Sequence, residues 1–68
     1  LSASNDDFPA VLAEALNMVY EQDYDVAAAA GHLQVTTSQF VKLIAQEPRA
    51  LKRVNDERVR RGQHPLRP

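Results

Sequence analysis

The side chains able to do chemistry in this chain are few, and their spacing excludes most reactions. Its two histidines, His32 and His64, have no carboxylate at a metal-ligand spacing from either, and there is no cysteine to supply a thiolate. The acidic pairs Asp6-Asp7 and Asp56-Glu57 suit helix termini and solvated faces better than the roles of a general acid and base. Ser38 lacks a neighbouring base or a nucleophile-elbow motif that would activate its hydroxyl. An independent enzyme is therefore not expected, and neither a cofactor nor a metal ion is called for. What remains is charge and stacking. Arg49, Lys52, Arg53, Arg60 and Arg61 are of the type that contacts phosphates. Tyr20 and Tyr24 have the type for stacking on bases, although such residues at a helix end more often seal a small core.

These residues need elements to position them. Pro48 suits the first turn of a helix running to about Arg61 and closed by Gly62. At 100° per residue, Arg49, Lys52, Arg53 and Arg60 fall within about one third of its circumference, interrupted by Asp56. Leu51, Val54 and Arg58 share the opposite side, so Arg58 is expected to lay its stem over the core and pair with an acid of the first half. The tail Gln63-His64-Pro65-Leu66-Arg67-Pro68 is expected to be extended. Upstream, Asp6 or Asp7 caps a first helix with Pro9 in its first turn, and Phe8, Leu12, Ala15, Leu16 and Val19 form its apolar face through to about Gln22.

Between these two helices lies the most informative stretch. Val26, Ala29, Ala30 and Leu33 recur at i, i+3, i+4 and i+7, one stripe of a short helix capped by Asp23 or Asp25. Gln34-Val35 interrupts it, and Thr36 with Gln39 has the form of a capping box, so the next helix should start near Thr37. Phe40, Leu43 and Ile44 would be its buried side, leaving Thr37, Ser38, Val41, Lys42 and Ala45 facing outward. Two short helices with alanines at the close approach read as a helix-turn-helix, a motif that most often docks on nucleic acid.

The stretch resembles the Fis-type helix-turn-helix, whose pattern runs roughly V-x-x-A-A-x-x-L-G-[IV]-[ST]-x-x-x-[LF]-x-[KR]-x-L. Val26, Ala29, Ala30, Leu33, Val35, Thr36, Phe40, Lys42 and Ile44 fall on it in register, while Gln34 stands where that family usually has a glycine in a left-handed turn. A longer resemblance links Asp7 to Leu16, the helix-turn-helix, Glu47-Pro48-Arg49-Ala50-Leu51, and the ending Val54-Asn55…Arg58…Gly62 to Arg67 with the C-terminal helical extension of some bacterial release-factor-like proteins. Those proteins carry a Gly-Gly-Gln hydrolysis domain upstream. That motif is absent here, so the resemblance transfers no hydrolase role to any residue and implies instead a positioning module in translation, in a ribosomal or RNA context.

At 68 residues the chain allows one small domain. The expected organisation is a disordered remnant at 1–5, an all-α bundle of three to four helices containing the helix-turn-helix at 6–62, and the extended tail at 63–68. The opening Leu1-Ser2-Ala3-Ser4-Asn5 suggests a fragment or a processed tag remnant. No apolar run approaches the roughly 20 residues of a membrane span, no membrane partner is expected, and a cytoplasmic location is. Charge is segregated: residues 1–34 carry six acids and no Lys or Arg, and residues 35–68 carry eight basic and three acidic residues, so −6 and +5 give the net −1. That asymmetry suggests a basic surface offered to a polyanion, or halves that neutralise each other in the fold.

Three functions from different classes follow. The chain is an accessory module binding DNA or structured RNA, with Arg49, Lys52, Arg53, Arg60 and Arg61 on phosphates and Thr37, Ser38, Val41 and Lys42 on a groove. Alternatively it is a protein-interaction unit using Val41, Val59 and Leu66, or a structural appendage of an enzyme domain in a longer parent chain. The first is the reading the charges favour.

Overall fold

The computed structural model describes residues 7–68, and among them four helices follow one another: α1 (Phe8–Glu21), α2 (Val26–His32), α3 (Thr37–Ala45) and α4 (Pro48–Arg60). No strand occurs among the described residues, and the molecule is a small all-α bundle with a helix-turn-helix at α2–α3. The expectation for residues 1–5, and Asp6 as a cap, lie outside the described residues.

Each start is built from short-range chemistry. α1 begins after Asp7 with Pro9 in its first turn, where a missing N–H costs nothing. The Asp25 carboxylate accepts the Ala28 N–H at 3.1 Å and starts α2. The capping box at α3 is complete: the Thr36 hydroxyl oxygen accepts the Gln39 N–H at 3.0 Å, and the Gln39 side-chain oxygen accepts the Thr36 N–H at 3.0 Å. α4 is capped by Glu47, whose carboxylate accepts the Arg49 N–H at 3.3 Å while Pro48 has no N–H to satisfy.

The ends share one device. After α1, α2 and α4 the chain turns through a left-handed residue and its N–H groups return to the carbonyls of the last turn. For α4 the left-handed residue is Gly62 at φ 81°, with Gly62 bonded to Val59 and Gln63 to Arg58. For α2 it is Gln34 at φ 59°, with Gln34 bonded to Gly31 and Val35 to Ala30. For α1 both Asp23 and Tyr24 are left-handed, at φ 57° and 64°, and the Tyr24 N–H reaches Val19. Side chains with a Cβ resist this conformation by about 1 kcal/mol or more, so the corner at Asp23-Tyr24 is held by contacts beyond the local chain.

α3 is the hub. It packs on α1, α2 and α4, whereas α4 packs on no other helix. Phe40 and Ile44 of α3 and Val19 of α1 are the largest fully buried side chains, and Ala15, Ala29 and Ala30 are buried around them. Burial of side chains this size contributes roughly 1.5–3 kcal/mol each. Phe8, Leu12, Leu16, Leu33, Val35 and Leu51 pack on the margin of that cluster, as the apolar periodicities lead one to expect.

Having three helical neighbours corrects the reading of α3. Val41, expected to face outward, is 7% exposed, because α4 and the other two helices leave α3 an apolar side wider than one stripe. Ala45 is half-buried for the same reason. Ala50 of α4 is buried beside Val54, so the apolar side of α4 is also wider than Leu51 and Val54 alone.

The tail carries no helix and returns along α4. The Asn55 amide donates to the Leu66 carbonyl at 3.2 Å and accepts the Leu66 N–H at 2.6 Å, engaging both main-chain groups of one residue. Leu66 packs against the core cluster rather than standing free in solvent.

Candidate nucleic-acid interface

On α3 the exposed positions are Thr37, Ser38, Gln39, Lys42 and Gln46. At 100° per residue Ser38, Lys42 and half-buried Ala45 share one side, with Gln39 and Gln46 at its edge. The Gln39 amide oxygen is occupied by the capping box. Of the four groove candidates, the structure therefore presents Thr37, Ser38 and Lys42 and withdraws Val41. Gln46 is exposed near Lys42 and was not anticipated, because a residue between the helix end and Glu47 reads as linker.

On α4 the basic row is real. Arg49, Lys52, Arg53 and Arg60 are all exposed, with Arg49 at 92% of its side-chain surface. Their acidic neighbours answer some of that charge. Arg49 pairs with Glu47 at 3.1 Å, Lys52 with Asp56 at 2.8 Å and Arg60 with Glu57 at 3.0 Å. The Arg49 hydrogen bonds hold the Glu47 carboxyl below its usual range, and the hydrogen bond to Asp56 raises Lys52 above its own. The cations and Asp56 are exposed while Glu47 and Glu57 are half-buried, and at such a surface an ion pair is worth between nothing and about 1 kcal/mol, so a phosphate can replace a carboxylate at little cost. Arg53 makes no ion pair among the described residues, and it stands in the middle of the row.

Arg61 is placed differently from the rest. Its guanidinium carbon lies 4.8 Å from the centre of the Tyr24 ring, its Nε pairs with Glu57 at 3.0 Å, and it comes within 3.9 Å of Asp23. Arg58, expected to pair with an acid of the first half, makes no ion pair among the described residues. Its Nη1 donates to the Tyr24 carbonyl and its Nε donates to the His64 carbonyl at 2.8 Å. A carbonyl takes the place of an acid here because the left-handed turn at Asp23-Tyr24 brings the Tyr24 carbonyl to the end of α4. Gln63 adds a contact of 3.5 Å to the Asp23 carbonyl. The end of α4 thus holds the α1–α2 corner that local backbone preference opposes.

Because α1 and α4 both lean on α3 without packing on each other, a groove of about 580 Å³ separates them. Leu16, Tyr24, Ala50 and Val54 form its floor, and Arg49, Arg53 and Arg60 stand along it with Glu47, Asp56 and Glu57. Tyr20 does not seal the core: it is 69% exposed, and its ring meets that of Tyr24 edge to face at 6.5 Å. No group of three or more His, Cys, Asp or Glu side chains that could hold a metal ion occurs among the described residues, and no helix there is long and apolar enough to cross a membrane.

Compared with known proteins, the chain matches no family model, and no curated protein or solved structure is significantly similar to it.

Proposed function

We propose that this chain is an accessory nucleic-acid-binding module that docks electrostatically on DNA or structured RNA. The observation that carries the reading is the exposed row Arg49, Lys52, Arg53 and Arg60 along one side of α4. Between Pro48 and Arg61 six basic residues face two acids, Asp56 and Glu57, so the helix keeps a surplus of positive charge after its own pairs are made. Lys42 adds a cation on the outer side of α3, the next element in space.

Docking led by phosphates fits the surface better than sequence reading. Base edges are read by Arg or Lys on guanine or by Asn and Gln on adenine. α3 presents small Thr37 and Ser38, a Gln39 whose amide oxygen is held by the capping box, and only Lys42 and Gln46 as groups free for such pairings, so few base contacts are on offer. The Fis-type pattern of α2–α3 supports the nucleic-acid class, and the longer resemblance supports a translation setting, as a C-terminal domain of a release-factor-like protein whose catalytic part lies outside this chain.

A protein-interaction role has less behind it. Of the apolar residues it would use, Val41 is buried, Leu66 is packed on the core and held by Asn55, and Val59 alone stands out at 57% exposure. A structural appendage to an enzyme domain would leave the α4 charges without a ligand.

Fluorescence anisotropy of the labelled chain against duplex DNA and an RNA hairpin separates these readings. Binding at low salt that is lost in Arg49→Glu/Arg53→Glu supports the module. Absence of binding to either ligand rejects it.

A further inference from the structure

We propose that the groove between α1 and α4 takes an unpaired nucleotide, its base stacked on Tyr20 at the rim above Tyr24 and its phosphate on Arg53. The inference rests on the nucleic-acid reading and names the feature of the ligand that this site selects, a bulged or single-stranded position.

Several observations converge on the groove. Its volume of about 580 Å³ lies in the range of small-ligand sites. Tyr20 does not line the groove itself, but it follows Leu16 by one helical turn and its ring meets that of Tyr24, and both of those residues line it, so Tyr20 stands at the rim. Tyr20 is the most exposed large apolar side chain among the described residues, and its ring is steadied at 83° to that of Tyr24, so an ordered aromatic surface is offered to solvent. Arg61 already lies over the Tyr24 ring, which leaves Tyr20 as the open platform. Bases stack on such rings whatever their identity, because every base has a π-face.

The charge is placed to match. Arg53 lines the groove and makes no ion pair among the described residues, while Arg49 and Arg60 on either side are held only by surface acids that a phosphate can displace. The other occupant of a basic, partly apolar groove would be an acidic amphipathic helix. Such a helix needs a broad aliphatic bed, and this floor is narrow: Ala50 and Val54 are already 7% and 3% exposed, leaving little aliphatic area to cover. A flat ring joined to an anion fits better.

The test compares two labelled RNA hairpins of equal length by anisotropy, one fully paired and one with a single-nucleotide bulge. The bulged hairpin is expected to bind on the order of tenfold more tightly. Tyr20→Ala should erase that advantage and leave affinity for the paired hairpin unchanged, whereas Tyr20→Phe should retain it; both variants keep the core, since Tyr20 lies outside it. Equal affinity for the two hairpins, insensitive to Tyr20→Ala, would overturn the stacking site while leaving electrostatic docking intact. No binding of either hairpin at low salt would remove both. Should an acidic amphipathic peptide shift the Tyr20 and Arg53 resonances while the bulged RNA does not, the groove is a protein site and the proposal fails.

Discussion

The guanidinium of Arg58 donates a hydrogen bond to the main-chain carbonyl of Tyr24, 34 residues earlier in the chain, and so ties the end of α4 to the corner between α1 and α2. Tyr24 sits at φ 64°, a conformation its side chain disfavours, next to Asp23 at φ 57°. The contact gives a partner to a carbonyl that the turn presents, and the neighbouring Arg61 covers the Tyr24 ring. α4 is otherwise packed only on α3. Its orientation over the groove therefore depends on this clamp.

Replacing Arg58 should loosen that orientation more than any other change on α4 outside the core. Arg58→Ala removes donors to two carbonyls, and the expected loss is about 1–3 kcal/mol in urea denaturation. Arg58→Lys should recover only part of it, because a single ammonium cannot address Tyr24 and His64 with the fork geometry of a guanidinium. Full stability in Arg58→Ala would show that the corner holds itself.

Gln34 offers the opposite experiment. It occupies the left-handed position after α2 with its backbone bonds made, so Gln34→Gly relieves the Cβ without losing a contact in the turn. A gain of about 1 kcal/mol is expected, which for a domain this small raises Tm by roughly 4–8 °C. A lower Tm would mean that the greater freedom of glycine in the unfolded chain outweighs the relief.

Val41 and Lys42 are neighbours with opposite expected effects. Val41→Asp places a charge in the packed side of α3 and should unfold the chain, seen as loss of helical circular dichroism. Lys42→Glu should leave the helical signal unchanged and weaken polyanion binding. If Val41→Asp folds normally, the hub arrangement of α3 is wrong.

The pH dependence follows from two displaced groups. Glu47 is lowered by the hydrogen bonds from Arg49, so its contribution is present above the ordinary carboxylate value of about 4.3 and disappears as pH falls through its lower folded value. Lys52 is raised by the hydrogen bond to Asp56, so its contribution is present below the ordinary lysine value of about 10.4 and disappears as pH rises through its higher folded value. Lys52 is exposed and Glu47 sits at the surface, so the effects are small. Helical content should be flat between those limits and fray at α4 only as pH falls below the ordinary carboxylate range, a fraying that Glu47→Ala would show already at neutral pH.

Elements with short-range causes could be read from the residues alone. The capping box at Thr36 and Gln39, the cap at Asp25, the proline at the start of α4 and the glycine after it each act within a turn, and each stands where its spacing places it. The exposed row on α4 also follows from periodicity. What depended on three-dimensional company was hidden. Val41 is buried because three helices pack on α3, Arg58 meets a carbonyl because Tyr24 turns left-handed, and Leu66 is covered because Asn55 captures its backbone. The groove beside Tyr20 exists because α1 and α4 share a neighbour without touching, a relationship no local pattern encodes.

The central claim, that the α4 row carries docking to nucleic acid, is tested most directly by the salt dependence of binding. Each phosphate contact contributes roughly one unit to the slope of log affinity against log salt concentration. Arg49→Gln and Arg53→Gln, measured singly and together by anisotropy on one RNA hairpin across a salt series, should each reduce the slope by about one and do so additively. A slope unchanged in the double variant would contradict the account, since the polyanion would then be held by some other surface.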